Sequence, residues 1–345
     1  MLTAIDEAQH SIFLTSYIFQ TDVIGEEFVA SLVSAKQRNV NVCVIVDGVG
    51  EYYSWPRIST LLLAANINVV RFLPPKLLPP TLLINLRNHR KILVIDGIKG
   101  FTGGMNIGDR HMITGDSRHT TADLHFSLEG PLVIQLETIF AEDWQFVTGK
   151  PLPMNKVDND SKGNSFCRCI SDGPNEDLDK ISLVMMGAIS SAQEQVIIVS
   201  PYFLPSREMI ASLQSAALRG VNVIIILPAK SNLRFIDWAT RNLLWELLQH
   251  KVKVFYQPAP FSHTKLFIVD NSYAQIGSAN QDPRSLRLNF ELNVEIFGDE
   301  FILQLIDYTN NIRNKSMELT LQEVDARPIF IRLRDAVCWL FTPYL

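Results

Sequence analysis

Cysteine is scarce in this chain. Cys43, Cys167, Cys169 and Cys338 are too few and too scattered for a disulfide framework, which suits a reducing compartment. Cys167 and Cys169 have the spacing of half a zinc site, but no second pair follows, so structural zinc is not expected. Positive charge is also short. Lys and Arg number 31 against 36 Asp and Glu, for a net charge of −5. That removes the broad basic footprint of a nucleic-acid binder, while a few local cations still suffice for a phosphate ligand. No apolar run approaches the roughly 18 residues of a spanning helix, and no signal-peptide pattern opens the chain. What remains is globular in composition, 47% hydrophobic and 19% charged, and 345 residues suffice for two domains with a sizeable core in each.

Two stretches organise the chain. His89-Arg90-Lys91-Ile92-Leu93-Val94-Ile95-Asp96 and His263-Thr264-Lys265-Leu266-Phe267-Ile268-Val269-Asp270 both read H-x-K-x4-D, with an apolar run ahead of the Asp. Strand alternation puts His and Lys on one face and buries the run behind them. Gly103-Gly104-Met105-Asn106 and Gly277-Ser278-Ala279-Asn280 follow, and both the His pair and the Asn pair recur at an offset of 174 residues. A lone His-x-Lys strand is more often a solvated edge than a catalyst. Duplication together with Asn reverses that balance. Asp96 and Asp270 complete the signature, but alternation turns them to the opposite face, where a structural bond to backbone near the motif is expected.

The surrounding pattern is α/β and doubled. Ser11–Phe19 and Val40–Asp47 read as strands, Gly25–Arg38 and Pro131–Val147 as helices, the latter with Pro at its first turn. Trp55–Ala65 reads as helical and Ala122–Leu128 as one strand. Ala188, Ala192, Val196, Ile198 and Ser200 match Ala4, Ala8, Ile12, Leu14 and Ser16 at an offset of 184. Two homologous halves are therefore expected, residues 1–149 and 165–318, joined by a polar, proline-containing linker over 150–164 and followed by an amphipathic tail over 319–345. The second half has a strand, Ser165–Ile170, with no counterpart in the first, so one edge strand of the first half is missing from the sequence or supplied differently.

The duplicated motif with its downstream Asn resembles the phospholipase D superfamily. Asn88-His89-Arg90-Lys91, Thr102-Gly103-Gly104-Met105-Asn106, Leu128-Glu129-Gly130-Pro131, the run Asp282–Glu291 and the closing Thr342-Pro343-Tyr344-Leu345 are most similar to its bacterial cardiolipin synthase branch. The resemblance implies two β/α sandwich halves with the active site at their interface. It also implies phosphatidyl transfer between two phosphatidylglycerol molecules through a phosphohistidine, without cofactor or metal. One His attacks phosphorus and the other supplies the leaving-group proton, while Lys91, Lys265, Asn106 and Asn280 hold the phosphoryl oxygens. The resemblance assigns the nucleophile to His89 and the acid/base to His263, a choice the near-identical motifs leave open. Asp123 and Glu291 fall at matching places in the repeat, each expected to accept from a His ring nitrogen. Hydrolysis of a phospholipid is the rival within this chemistry. A nuclease is disfavoured by the missing basic groove, and an inert scaffold by the intact His, Lys and Asn of both halves.

Other residues are weighed against these. His10, His111, His119 and His250 have no partners in the repeat and are expected at the surface. His125 lies on the face of Asp123 and is a candidate to support it. Asp109, Asp116 and Asp123 with His111 and His119 suggest a metal cluster, but a Lys beside each motif His argues against a metal. Trp238, Leu244 and Trp245 are expected in the core, and Arg241, Arg284 and Arg287 are candidates for a second lipid head group. Many relatives carry amino-terminal membrane helices, so this chain is either a surface-attached form or a shortened one, placed at the bacterial cell membrane. Two segments suit an anionic lipid surface: the loop 72–86, with Leu77, Leu78, Leu82 and Leu83 among four prolines, and the stretch 329–345, where Trp339 and other apolar residues adjoin Arg327, Arg332 and Arg334.

Overall fold

The structure is a computed structural model that describes residues 1–75, 85–112, 120–155, 160–174, 177–298 and 300–342. The first six strands and helices alternate: α1 (Leu2–Glu7), β1 (Ser11–Ser16), α2 (Val23–Gln37), β2 (Asn41–Asp47), α3 (Ile58–Ala64) and β3 (Asn68–Phe72). Then come β4 (Arg87–Asn88), β5 (Ile92–Ile95), β6 (Lys99–Gly103), β7 (Thr121–Ala122), β8 (His125–Glu129) and α4 (Leu132–Thr148). Local chemistry sets several ends. Asp22 caps α2 by accepting from the Gly25 N–H, and α4 stops at Gly149, whose φ of 69° favours a residue without Cβ.

The second half repeats the plan. It runs β9 (Phe166–Asp172), α5 (Lys180–Ser191), β10 (Gln195–Val199), α6 (Arg207–Leu218), β11 (Asn222–Pro228), α7 (Arg234–Leu248) and β12 (Lys253–Gln257). After these come β13 (Phe261–Ser262), β14 (Leu266–Val269), β15 (Tyr273–Gly277), α8 (Pro283–Arg287), β16 (Asn289–Phe297) and α9 (Glu300–Arg313). The chain then adds β17 (Met317–Leu319), α10 (Leu321–Asp325) and α11 (Ile329–Leu340). Residues 319–342, expected as a tail, thus add helices that pack on α7.

The first sheet has the order β3-β2-β1-β5-β6-β8, and the second runs β17-β12-β11-β10-β14-β15-β16 with β9 beyond β16. In each, three parallel strands continue antiparallel through the motif strand, β1 to β5 and β10 to β14. Strands β1 and β10 are buried on both faces, as their near-continuous apolar runs require. Helices α4 and α9 lie between the sheets. Val133, Leu136 and Phe140 of α4 pack on Phe13, Ile92 and Val94 and touch Phe290 and Leu292, while Ile302 and Leu305 of α9 pack on Ile197 and Ile268. The remaining helices of each half cover the outer faces, so the layers run helix, sheet, helix, sheet, helix.

Some expectations change at this level. The expected strand Ala122–Leu128 is broken at Asp123 and Leu124 into β7 and β8, and α3 starts only at Ile58, beyond Pro56. Leu244 is buried and Trp238 partly so, but Trp245 is 42% exposed because it lies on the solvent side of α7. The greater part of the loop 72–86, including Leu77, Leu78, Leu82 and Leu83, lies outside the described residues, as do Asp116 and His119.

Candidate active site

The two motifs are delivered to each other by a crossed exchange between the halves. Strand β4 runs parallel to β16, and the His89 N–H donates to the Phe290 carbonyl at 2.9 Å. Strand β13 likewise runs parallel to β7, and the His263 N–H donates to the Ala122 carbonyl at 2.7 Å. Each accepting carbonyl belongs to the residue just before a carboxylate. The pairing therefore brings Glu291 to His89, with Nδ1 at 3.0 Å, and Asp123 to His263, with Nδ1 2.8 Å from Oδ2. A carboxylate at Nδ1 fixes the ring proton there and leaves Nε2 with its lone pair facing away.

Both His-x-Lys segments precede their strands rather than lying within them, for β5 begins at Ile92 and β14 at Leu266. The lysines nevertheless fold back identically. Lys91 Nζ donates to the His89 carbonyl and Lys265 Nζ to the His263 carbonyl, both at 2.6 Å. Lys265 Nζ also stands 2.9 and 3.0 Å from the two ring nitrogens of His263. Asn106 Oδ1 accepts from the Ile18 N–H, while the buried Oδ1 of Asn280 has no donor among the described residues.

The cluster is buried, and burial governs its electrostatics. It lowers the pKa of His89, opposed by Glu291 and reinforced by Lys91. At His263 burial is reinforced by Lys265, Lys91 and His89, and the pKa falls well below the ordinary value. Burial also draws Lys91 down to about 7 and Lys265 to about 8, against the pull of Glu291 and Asp123. Burial works to raise Glu291, yet His89 and Lys91 outweigh it and hold the carboxyl below its usual range. For Asp123 burial wins and the pKa rises. Desolvated bases and ammonium groups crowded in this way favour an entering anion, whose charge raises every one of these pKa values.

Asp96 and Asp270 stand away from this cluster. Asp96 accepts the N–H groups of Gln9, His10 and Ser11 at 2.7–2.8 Å, and Asp270 those of Gln193, Glu194 and Gln195. Each ends its motif strand in the left-handed region, at φ 53° and 52°, and ties it to the start of the neighbouring central strand. Their contacts are with backbone, so their place in the signature reflects the fold of the motif and not a contact with its imidazole.

Several contributors escape the motif. Glu291 also accepts from the hydroxyls of Ser278 and Ser285, at 2.5 and 2.6 Å, and from Asn289 Nδ2 at 3.1 Å. Arg90 crosses between halves, donating to Asp143 at 2.6 Å and to the Glu291 carbonyl at 3.0 Å. Tyr17 stacks edge-on against His89 at 4.9 Å. His111, expected at the surface, is buried with its ring 6.4 Å from that of His263, and burial drives its pKa to about 3. A signal for it existed. Carried past Asn280, the 174-residue offset pairs Arg110 with Arg284 and His111 with Ser285. Arg110 lies close enough to His263 to add to the depression that burial imposes on its pKa, and Arg284 close enough to Tyr17 to oppose the rise that burial causes there.

The remaining candidates are dispersed. His125 is partly buried, with neither ring nitrogen bonded among the described residues, and burial lowers its pKa to about 4. His10 is exposed, and His250 bonds the Glu246 carbonyl. Asp109 turns away from Asp123 to accept the Ile24 N–H. Arg241 pairs with Asp237 along α7, and the largely exposed Arg287 reaches Asp179.

Comparisons with known proteins agree with one another. A family profile described as "Cardiolipin synthase, PLD-like domain" matches residues 1–144 and 185–313. A cardiolipin synthase of Alkalihalophilus pseudofirmus is 34% identical over 350 residues, covering 100% of this chain and 69% of that protein. The major cardiolipin synthase of Bacillus subtilis is 32% identical over 349 residues, covering 100% of this chain and 72% of that protein. Among solved structures, the phosphatidylserine synthase of Haemophilus influenzae superposes over 100% of this chain and 92% of its own length, with a TM-score of 0.75 and 14% identity, a likeness of fold.

Proposed function

Because this chain belongs to the phospholipase D-like cardiolipin synthase family, we propose that it transfers a phosphatidyl group from one phosphatidylglycerol to the hydroxyl of a second, yielding cardiolipin and glycerol. One observation carries the reading: two imidazole–carboxylate pairs, each spanning the halves, in one buried cluster with two lysines. Nε2 of His89 attacks phosphorus, and the bond from phosphorus to the glycerol oxygen breaks as His263 gives that oxygen a proton. The second phosphatidylglycerol then loses its hydroxyl proton to His263 and attacks phosphorus, and the phosphorus–nitrogen bond of His89 breaks. Glu291 suits the nucleophile, since an anionic partner at Nδ1 strengthens the lone pair at Nε2. His263, neutral in the empty site, gains its proton when the phosphodiester anion offsets Lys265 and Lys91. Those lysines, with Asn106 and Asn280, hold the equatorial oxygens.

The lipid is met at an anionic membrane surface. Among the described residues no helix is long and apolar enough to cross a membrane. Helix α11 turns Asp335 and Cys338 inward and leaves Phe330, Leu333, Val337 and Leu340 exposed, with Arg332 among them. An apolar face that points outward and is flanked by cations suits such a surface.

The test is incubation with phosphatidylglycerol labelled in both head group and chains, in mixed micelles. Cardiolipin and free glycerol are expected. Phosphatidic acid as the sole lipid product would make water the acceptor and overturn transfer. His89→Ala should abolish turnover and His263→Asn should accumulate a phosphatidyl adduct on His89, read by mass spectrometry. An adduct on His263 in a His89 variant would exchange the two roles.

A further inference from the structure

We propose that the cleft between α5, α6, α8 and α11 receives an acyl chain of the phospholipid whose phosphate occupies the site, an inference that rests on the lipid reading above. The cleft encloses about 440 Å³ and is walled mainly by Leu183, Met186, Leu204, Ile210, Leu243 and Leu286. That is the volume and apolar character of a small-molecule site, for which roughly 300–1,000 Å³ is usual.

Its position ties it to the chemistry. Helix α8 is the wall shared by cleft and site. Asp282 caps it, Ser285 on one side bonds Glu291 and accepts from the Asn280 N–H, and Leu286 and Arg287 on the other side line the cleft. A chain in the cleft therefore lies one short helix away from the carboxylate that orients His89. The opposite wall holds Trp339 and Thr342, the first on α11 and the second just beyond it, so the cleft adjoins the exposed apolar face of that helix.

Charge points to hydrocarbon as the occupant. Arg207 and Arg287 stand among Asp179, Glu208 and the buried Asp282, charges of both signs, so no cluster of one sign selects a charged ligand. Arg207 is bonded to Glu246 and lies 5.3 Å over the Trp339 ring, and Arg287 reaches Asp179 at 3.3 Å. What these side chains leave between them is the apolar interior.

The test uses the full chain on phosphatidylglycerol–phosphatidylethanolamine vesicles in which the phosphatidylglycerol carries a diazirine near one chain end. Photolysis is expected to label peptides of α5, α6 and α8. Leu183→Trp, at a position 61% exposed and so tolerant of bulk, should reduce that label. It should also raise KM for dioleoyl phosphatidylglycerol about tenfold more than for the dihexanoyl lipid, the worth of roughly two methylenes withdrawn from apolar contact. Label confined to other elements overturns the proposal, including the case in which the chain's own residues 343–345 fill the cleft. So does a Leu183→Trp protein that keeps its label and shifts both substrates equally. Labelling needs no turnover, which separates the two readings. Cardiolipin formed without label in the cleft sinks the cleft alone, whereas label without cardiolipin sinks the transfer reading and leaves the cleft standing.

Discussion

Replacing Lys91 by Met should make the protein more stable and leave it inactive. Lys91 is 2% exposed, and its ammonium donates to the His89 carbonyl. Burial, opposed by Glu291 and reinforced by Lys265, draws its pKa from the ordinary 10.5 to about 7. The unfolded chain thus holds this proton more tightly than the folded one, so stability is lost as pH falls from 10.5 towards 7. At about 1.36 kcal/mol per unit, the loss is of order 4 kcal/mol at pH 7 and below about 1 kcal/mol at pH 10. Methionine retains the length and apolar stem without the charge, and forfeits a hydrogen bond worth about 0.5–1.5 kcal/mol. The variant should therefore gain roughly 3 kcal/mol at pH 7 and little or nothing at pH 10. Denaturant unfolding of both proteins at the two pH values measures this directly. A variant less stable than the parent at pH 7, or a difference that ignores pH, would refute the reasoning. Phosphatidyl transfer should fall by about 10²-fold or more, since a group aimed at the phosphoryl oxygens is lost.

Three further outcomes follow from the geometry. Glu291→Gln removes the anion from Nδ1 of His89 and should lower kcat by roughly 10³–10⁴ with little change in KM, as steady-state kinetics would show. Asp96→Asn weakens the hold on three backbone N–H groups and should lower unfolding stability by about 2–4 kcal/mol, with a much smaller effect on kcat per folded molecule. Phe330→Glu combined with Leu333→Glu places charge on the outward face of α11 and should weaken sedimentation with anionic vesicles by about tenfold or more. Unchanged binding would move the lipid contact to another surface.

Much of the site was legible because its signals are local or repeated. Spacing along the motif set each His beside its Lys and apart from its Asp although His and Lys lie ahead of the strands, and the structure finds Asp96 and Asp270 on backbone N–H groups. The matching places of Asp123 and Glu291 marked them as imidazole partners, and both face one. His111 reads as a surface residue because its counterpart at the 174-residue offset is a serine, Ser285, and not a second histidine. Arg90 offered no signal, since the carboxylate that holds it lies 53 residues on, in a helix that reads as ordinary core.

The sequence by itself determined the doubled α/β plan, the identity of the His, Lys and Asn residues, and the presence of an apolar face near the end of the chain. These depend on periodicity and on neighbours along the chain, which sequence records directly. Only the tertiary structure decided which carboxylate serves which imidazole, because Glu291 and His89 stand 202 residues apart and meet through strand pairing between halves. It also decided that α11 turns Asp335 inward and its apolar residues outward. A helical pattern distinguishes two faces, but the side that meets protein is chosen by what packs there, and here Arg327 and Arg334 pair with the buried Asp335. The lowered pKa values have the same origin: a lysine is a strong base in the sequence and becomes a weak one only where the folded chain has removed its water.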